Sequence, residues 1–284
     1  MCIFGNVYPE TMLKRFFLTL VCAFALLPAF AAKPFFFVQI TDPQLGFKEK
    51  DSMAEGVRLL AETVEAINRI RPAFVVVTGD MTNNRFNEEQ WAAYQELIGR
   101  IDKDIPVWQI PGNHDLKPRE EGDLQHYLDR YGYDRFSFRY GGCAFIGMNT
   151  CFLKDRCIEQ EQEHCTWLLK ELARSQGARF RFVFTHCPVV KESPDEKEDY
   201  FNFQAPYRQF YLEQFSRYRV SAVFSGHLHR ARACEVDGIP YYTTSASGLT
   251  LGDGTSGLNI VTVYKDRFTT EFVSAAEARN PLKK

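Results

Sequence analysis

The chain has 284 residues, 45% hydrophobic and 25% charged, which is ample material for a large buried core and excludes disorder as its overall state. The formal net charge of -2 carries no basic footprint for a polyanion, which disfavours nucleic-acid binding as the main role. A small phosphorylated ligand stays compatible, because a bound metal ion supplies positive charge locally.

Lys14 and Arg15 precede an almost wholly apolar run, residues 16–30, that closes on Ala29-Phe30-Ala31. A basic region, an apolar stretch and a small-x-small site predict a signal peptide over residues 1–31, cleaved near Ala31 or Ala32, and hence a periplasmic or secreted protein. The run is shorter than the roughly 20 residues a spanning helix needs, and Pro28 lies near its end, so no stable membrane span is expected after cleavage. Residues 1–11 do not read as part of the basic region, which makes Met12 a candidate start. Cys2 and Cys22 leave with the leader, and Cys143, Cys151, Cys157, Cys165, Cys187 and Cys234 remain. Export makes disulfides possible, and the crowding of Cys151, Cys157 and Cys165 makes a bridge among them plausible, with free buried thiols the equal alternative. No Cys-x-x-Cys pair supports a zinc ribbon or a redox motif.

Residues 34–276 are expected to form a single domain, followed by a short tail over 277–284. An apolar, aromatic run at 35–41 predicts a strand, and Asp42-Pro43-Gln44 follows it. Ser52 with Glu55 reads as a capping box, Val57, Leu60, Val64 and Ile67 recur at helical spacing, and Pro72 ends the helix. A strand at 74–78 runs into Gly79-Asp80. A second helix starts at Asn87 with Gln90 as box partner, and a strand at 105–110 runs into Pro111-Gly112-Asn113-His114-Asp115. This alternation predicts a largely parallel sheet.

A short helix at 123–131 then leads to strands at 136–140 and 143–149, joined by Gly141-Gly142 in hairpin fashion. A helix at 161–174 and a strand at 180–185 precede His186. The acidic stretch 191–203, closed by Tyr200-Phe201, reads as a surface excursion placed where a lid would sit. After a helix at 207–218 and a strand at 220–225 comes Gly226-His227-Leu228-His229. Strands at 233–236, 239–244, 258–263 and 268–273 read as a β meander. The expected fold is α/β, two packed sheets flanked by helices.

Asp42, Gln44, Asp80, Asn113, His114, Asp115, His186, His227 and His229 all fall at strand ends or just after them, where α/β sheets place their ligands. Several are preceded by glycine, which lets the backbone turn tightly. Taken singly, Asp42 is a turn residue and Asp80 a helix cap; their joint occurrence argues for metal ligation. His126 and His164, each alone on a helix, read as ordinary surface or core residues, and Arg230 reads as a surface ion-pair residue.

In residue type and chain order, this set resembles the calcineurin-like metallophosphoesterases, from Phe37 to His229. Within them it is similar to the calcineurin-like phosphoesterase domain-containing proteins described as serine/threonine phosphatases, whose first motif also reads Asp-Pro-Gln. The resemblance implies a four-layer αββα sandwich with two mixed sheets and two divalent or trivalent metal ions, drawn from Mn, Fe, Zn and Mg. It implies that Asp80 bridges both ions, that Asp42, Gln44 and His229 complete the first, and that Asn113, His186 and His227 complete the second. Gln44 stands where the usual pattern has His, and an amide oxygen is a weaker ligand than imidazole for zinc or iron. A metal-activated hydroxide would then attack the phosphate ester of a small molecule or a phosphoprotein. His114 would protonate the leaving group, with Asp115 orienting it or capping a helix instead. Phosphodiester hydrolysis and non-catalytic binding on the same fold are the alternatives.

Overall fold

The structure, a computed structural model, describes residues 33–48, 52–252 and 254–283; the expected leader and Met12 lie outside them. Phe35–Ile40 forms β1, buried along its whole length, and its side chains split by the two-residue period of a strand. Phe36, Val38 and Ile40 enter a core on one face, while Phe35 and Phe37 enter a second core on the other. A strand covered on both faces needs this unbroken apolar run.

From β1 the chain passes through helix α1 (Ser52–Ile70) to β2 (Val75–Val77), then through α2 (Glu88–Ile98) to β3 (Val107–Gln109). Both pairings are parallel, as the alternation predicts. After α3 (Asp123–Tyr131), β4 (Phe136–Tyr140) and β5 (Cys143–Gly147) form the expected hairpin, with Gly141 and Gly142 both at positive φ. The short α4 (Cys151–Lys154) and the long α5 (Ile158–Arg174) follow, then β6 (Arg181–Phe184), α6 (Ala205–Arg217), β7 (Ala222–Ser225) and a hairpin of β8 (Arg232–Val236) with β9 (Ile239–Thr243). Strands β10 (Leu258–Val263) and β11 (Phe268–Val273) close the chain.

The sheets run β11-β10-β1-β2-β3 and β4-β5-β6-β7-β9-β8, and both are mixed. Their facing surfaces bury Phe37, Phe74, Phe145, Phe182, Phe184 and Phe224 between them. Leu60, Val64 and Ile67 of α1 and Trp91 and Tyr94 of α2 cover the first sheet. Leu168 and Leu172 of α5 and Tyr211 and Phe215 of α6 cover the second. The result is the four-layer αββα sandwich. Each fully buried apolar side chain of this kind contributes about 1.5–3 kcal/mol relative to exposure.

Two readings need correction, and one open alternative is decided. The last four strands are not one meander: β9 pairs in parallel with β7 in the second sheet, whereas β10 crosses to pair with β1 in the first. Strand pairing is decided by distant partners that local pattern does not name. At α2, Asn87 caps as expected through Glu89 and Gln90 N–H, but Gln90 does not complete a box. Its Oε1 accepts instead from Asn83 and Asn84 N–H, tying the preceding loop to the helix. Between bridge and free thiols, the structure has the latter: the six cysteines among the described residues are all unpaired, and Cys143, Cys151, Cys157 and Cys187 are buried. Among the described residues no helix is long and apolar enough to cross a membrane.

Candidate metal centre

Because β1, β2 and β3 run parallel and in register, the loops after them leave the first sheet at one rim; those after β6 and β7 leave the second sheet beside it. The ladder continues past the strands: Asp42 N–H donates to the Gly79 carbonyl at 3.0 Å, and Gln44 N–H to that of Asp80 at 2.8 Å. Gly79 and Gly112 approach back to back. A Cβ on Gly79 would lie 2.5 Å from Gly112 N, and one on Gly112 would lie 2.1 Å from Asp80 Oδ1, so side chains are excluded at both turns. Asp42, Gln44, Asp80, His227 and His229 all adopt positive φ, five of the ten described non-glycine residues that do. Such a conformation costs on the order of 1–3 kcal/mol per residue and is kept where the surrounding structure imposes it.

Two groups of ligand-type side chains result, and they share one residue. Asp80, His186 and His227 form the first; Asp42, Asp80 and His229 form the second; within each, ligand atoms lie within 4.8 Å of one another and all are buried. Each histidine has one nitrogen occupied. His186 Nδ1 meets the Thr78 carbonyl at 2.8 Å, leaving Nε2 3.2 Å from both Asp80 Oδ2 and Asn113 Oδ1. His229 Nδ1 meets the Leu249 carbonyl at 2.7 Å, leaving Nε2 3.5 Å from Asp42 Oδ1. His227 Nε2 meets the Tyr200 carbonyl at 3.2 Å, leaving Nδ1. Fixing the ring through its other nitrogen is how proteins orient imidazole for a metal.

Of the candidate ligand oxygens, two are buried without a hydrogen-bond partner among the described residues: Asp42 Oδ1 and Gln44 Oε1. Asp42 Oδ2, in contrast, accepts from Thr41 Oγ1 at 2.8 Å and from His227 N–H at 2.9 Å. Gln44 Nε2 donates to Asn83 Oδ1 at 3.1 Å, which turns the amide oxygen the other way. A buried acceptor without a donor costs about 1–3 kcal/mol, and a cation satisfies it. The donor set of carboxylates, amide oxygens and imidazoles therefore fits metal ions, and Gln44 offers its oxygen as a ligand would.

The charges are mutually tuned. Burial pushes the Asp42 carboxyl up although His229 pulls it down. Burial acts the same way on Asp80, but the adjacent His186 outweighs it and holds that carboxyl well below the usual range. Burial alone would lower His186; Asp80 reverses this and raises it to about 9. Burial, reinforced by His186, drives His227 down to about 3. Without metal, His186 takes the proton that a bound cation would displace.

His114 lies half-buried beside the groups, with N–H to Asp80 Oδ1 at 2.8 Å and Nδ1 2.9 Å from the Asn83 carbonyl. Asp115 does not orient this ring. Its carboxylate accepts from the N–H groups of Met81, Thr82 and Gly112 at 2.8, 3.1 and 2.9 Å, locking the Asp80 and Gly112 turns together. His164 is a core residue: its Nε2 accepts from Asn149 N–H at 3.0 Å, and burial lowers it to about 3. Arg230 is exposed. Sequence reasoning missed Asn83, which holds both Gln44 and His114, and Tyr200; the only signal for Tyr200 was an aromatic pair closing an acidic loop.

The family model for calcineurin-like phosphoesterases matches residues 37–231. The chain belongs to that family. It is 34% identical over 267 residues to the serine/threonine-protein phosphatase CPPED1 of Rattus norvegicus, covering 86% of this chain and 85% of that one. The protein of the same name from Danio rerio is 35% identical over 263 residues, covering 85% of each. In fold, the chain matches a dimetal phosphatase from Danio rerio with a TM-score of 0.62 at 16% identity, over 85% of this chain and 96% of that one. This calcineurin-like phosphoesterase is a metal-dependent phosphoric ester hydrolase, and Asp80 stands where its two ligand groups meet.

Proposed function

We propose that the protein is a phosphatase acting on small phosphomonoesters. A cavity of about 430 Å³ supports this reading: Asn113 and His114 line its metal side, and Leu153, Lys154, Tyr200 and Phe203 are among the residues that line the rest. Such a volume suits the alcohol part of a small ester. Asp42, Gln44 and His229 would hold one ion, Asn113, His186 and His227 the other, and Asp80 both. When bound, the pair supplies Lewis-acid charge to the phosphoryl oxygens and acidifies water. The Asn83 carbonyl ties His114 Nδ1, so Nε2 is the nitrogen left to carry a proton to the departing alkoxide. The name shared by the two relatives above, serine/threonine-protein phosphatase, supports monoester over diester chemistry. The basic and apolar leader supports work outside the cytoplasm, where intracellular phosphoproteins are absent; N-terminal sequencing of protein from the exported fraction tests that point.

The function is tested by steady-state kinetics with added Mn²⁺ on p-nitrophenyl phosphate, bis(p-nitrophenyl) phosphate, sugar phosphates and a phosphoserine peptide. Small monoesters are expected to exceed the diester and the peptide in kcat/KM by about tenfold or more. A preference for the diester or peptide contradicts the assignment, and background rates throughout with metal bound make the protein a non-catalytic binder.

A further inference from the structure

The stretch between β6 and α6 is not a loose excursion. Glu196 at its centre accepts from the N–H groups of Lys191, Glu192 and Ser193 and from Asn202 Nδ2 at 2.7 Å. Arg208 of α6, itself 2% exposed, pairs with the same carboxylate at 3.3 Å. This braced loop delivers Tyr200 across the centre. Tyr200 makes three polar contacts with residues far from it in the chain. Its hydroxyl accepts from Asn113 Nδ2 at 2.9 Å. Its carbonyl accepts from His227 Nε2 at 3.2 Å and from Lys154 Nζ, whose ammonium also lies 4.1 Å from the Tyr200 ring centroid.

The two bonds into the centre have a directional consequence. An amide whose Nδ2 is held outward by the phenol presents Oδ1 inward, and Asn113 Oδ1 indeed lies 3.2 Å from His186 Nε2. An imidazole whose Nε2 donates to a carbonyl presents a bare Nδ1. Oxygen from the one and unprotonated nitrogen from the other are the forms that ligate a cation. The first-metal residues receive nothing comparable from the loop: Gln44 is held by Asn83 and His229 by Leu249.

We propose that Tyr200 is a positioning residue for the second metal ion, fixing the amide of Asn113 through its hydroxyl and the tautomer of His227 through its carbonyl, with Lys154 holding that carbonyl in place. This rests on the reading that Asn113, His186 and His227 hold that ion. Affinity for the second ion is thereby tied to the seating of one loop.

The experiment is a calorimetric Mn²⁺ titration of the chelator-treated full chain, with bound metal counted by elemental analysis, for wild type, Tyr200→Phe and Lys154→Met. Wild type is expected to take two equivalents. Tyr200→Phe, which removes only the hydroxyl, should weaken the second by about tenfold or more while leaving the first as tight as before. Lys154→Met should act in the same direction. Two equivalents of unchanged affinity in Tyr200→Phe, or an equal weakening of both, would overturn the role of Tyr200 alone. A wild type that binds fewer than two ions would overturn the metal assignment beneath it.

Discussion

The space between the two sheets and the rim above it are built on opposite rules. Inside, Phe37 stacks on Phe74 at 5.1 Å and meets Phe145, Phe182 and Phe184 within 6 Å. At the rim, five non-glycine residues hold positive φ, and Asp42 Oδ1 and Gln44 Oε1 are buried without donors among the described residues. The aromatic interior fixes the strand ends firmly enough to sustain strain that a looser scaffold would relax. Stability and chemistry are thus lodged in adjacent but separate places.

Substitutions at the rim should therefore abolish turnover, and those between the sheets should cost stability. The largest expected effect is from Asp80→Asn, which removes the carboxylate common to both ligand groups. Turnover should fall to background and metal content below two per chain by elemental analysis; retained turnover would break the division at its most important residue. His114→Ala should lower kcat by about 10²–10⁴ while metal content stays normal, with the greatest loss on esters of poor leaving groups. On the other side, Phe37→Ala should cost about 3–5 kcal/mol in denaturant unfolding of metal-free protein.

Gln44→His sharpens the comparison within the rim. Replacing an amide oxygen by imidazole should shift preference from Mn²⁺ or Mg²⁺ toward Zn²⁺, read as the ratio of activities across metals. An unchanged ratio would place Gln44 outside the coordination shell.

The smallest effect comes from a residue that belongs to neither place. Glu161 is 4% exposed under α6; Tyr211 donates to one of its oxygens, and the other has no partner among the described residues. Burial raises its carboxyl to about 7 from the ordinary 4.5. The folded chain thus keeps a proton that the unfolded chain releases, so stability falls as pH rises from 4.5 to 7. Glu161→Gln should raise Tm at pH 8, by at most about 3 kcal/mol of stability, and converge with wild type near pH 4.5. An equal shift at both pH values would assign the effect to packing.

The elements were legible where the signal is local. The bounds of β10 and β11 follow directly from their β-branched and aromatic runs, and the glycine-flanked polar motifs announce strand ends. Which sheet receives β10 depends on its pairing with β1, more than 200 residues earlier, and no local pattern encodes that. Asp115 shows the same limit at the site: a neighbour of His114 in sequence, it turns its carboxylate to three backbone amides elsewhere. Tyr200 lies 87 residues from the Asn113 amide it holds, on a stretch whose composition says only that it is polar.

The decisive measurement is the anomalous scattering of crystals of the full chain grown with Mn²⁺. The expected result is two peaks roughly 3.5–4 Å apart, one on either side of the Asp80 carboxylate, the first reached by Asp42, Gln44 and His229 and the second by Asn113, His186 and His227. A single ion that Asp80 does not touch, or two ions held apart by different residues, would contradict a shared dinuclear centre and the hydrolysis built on it.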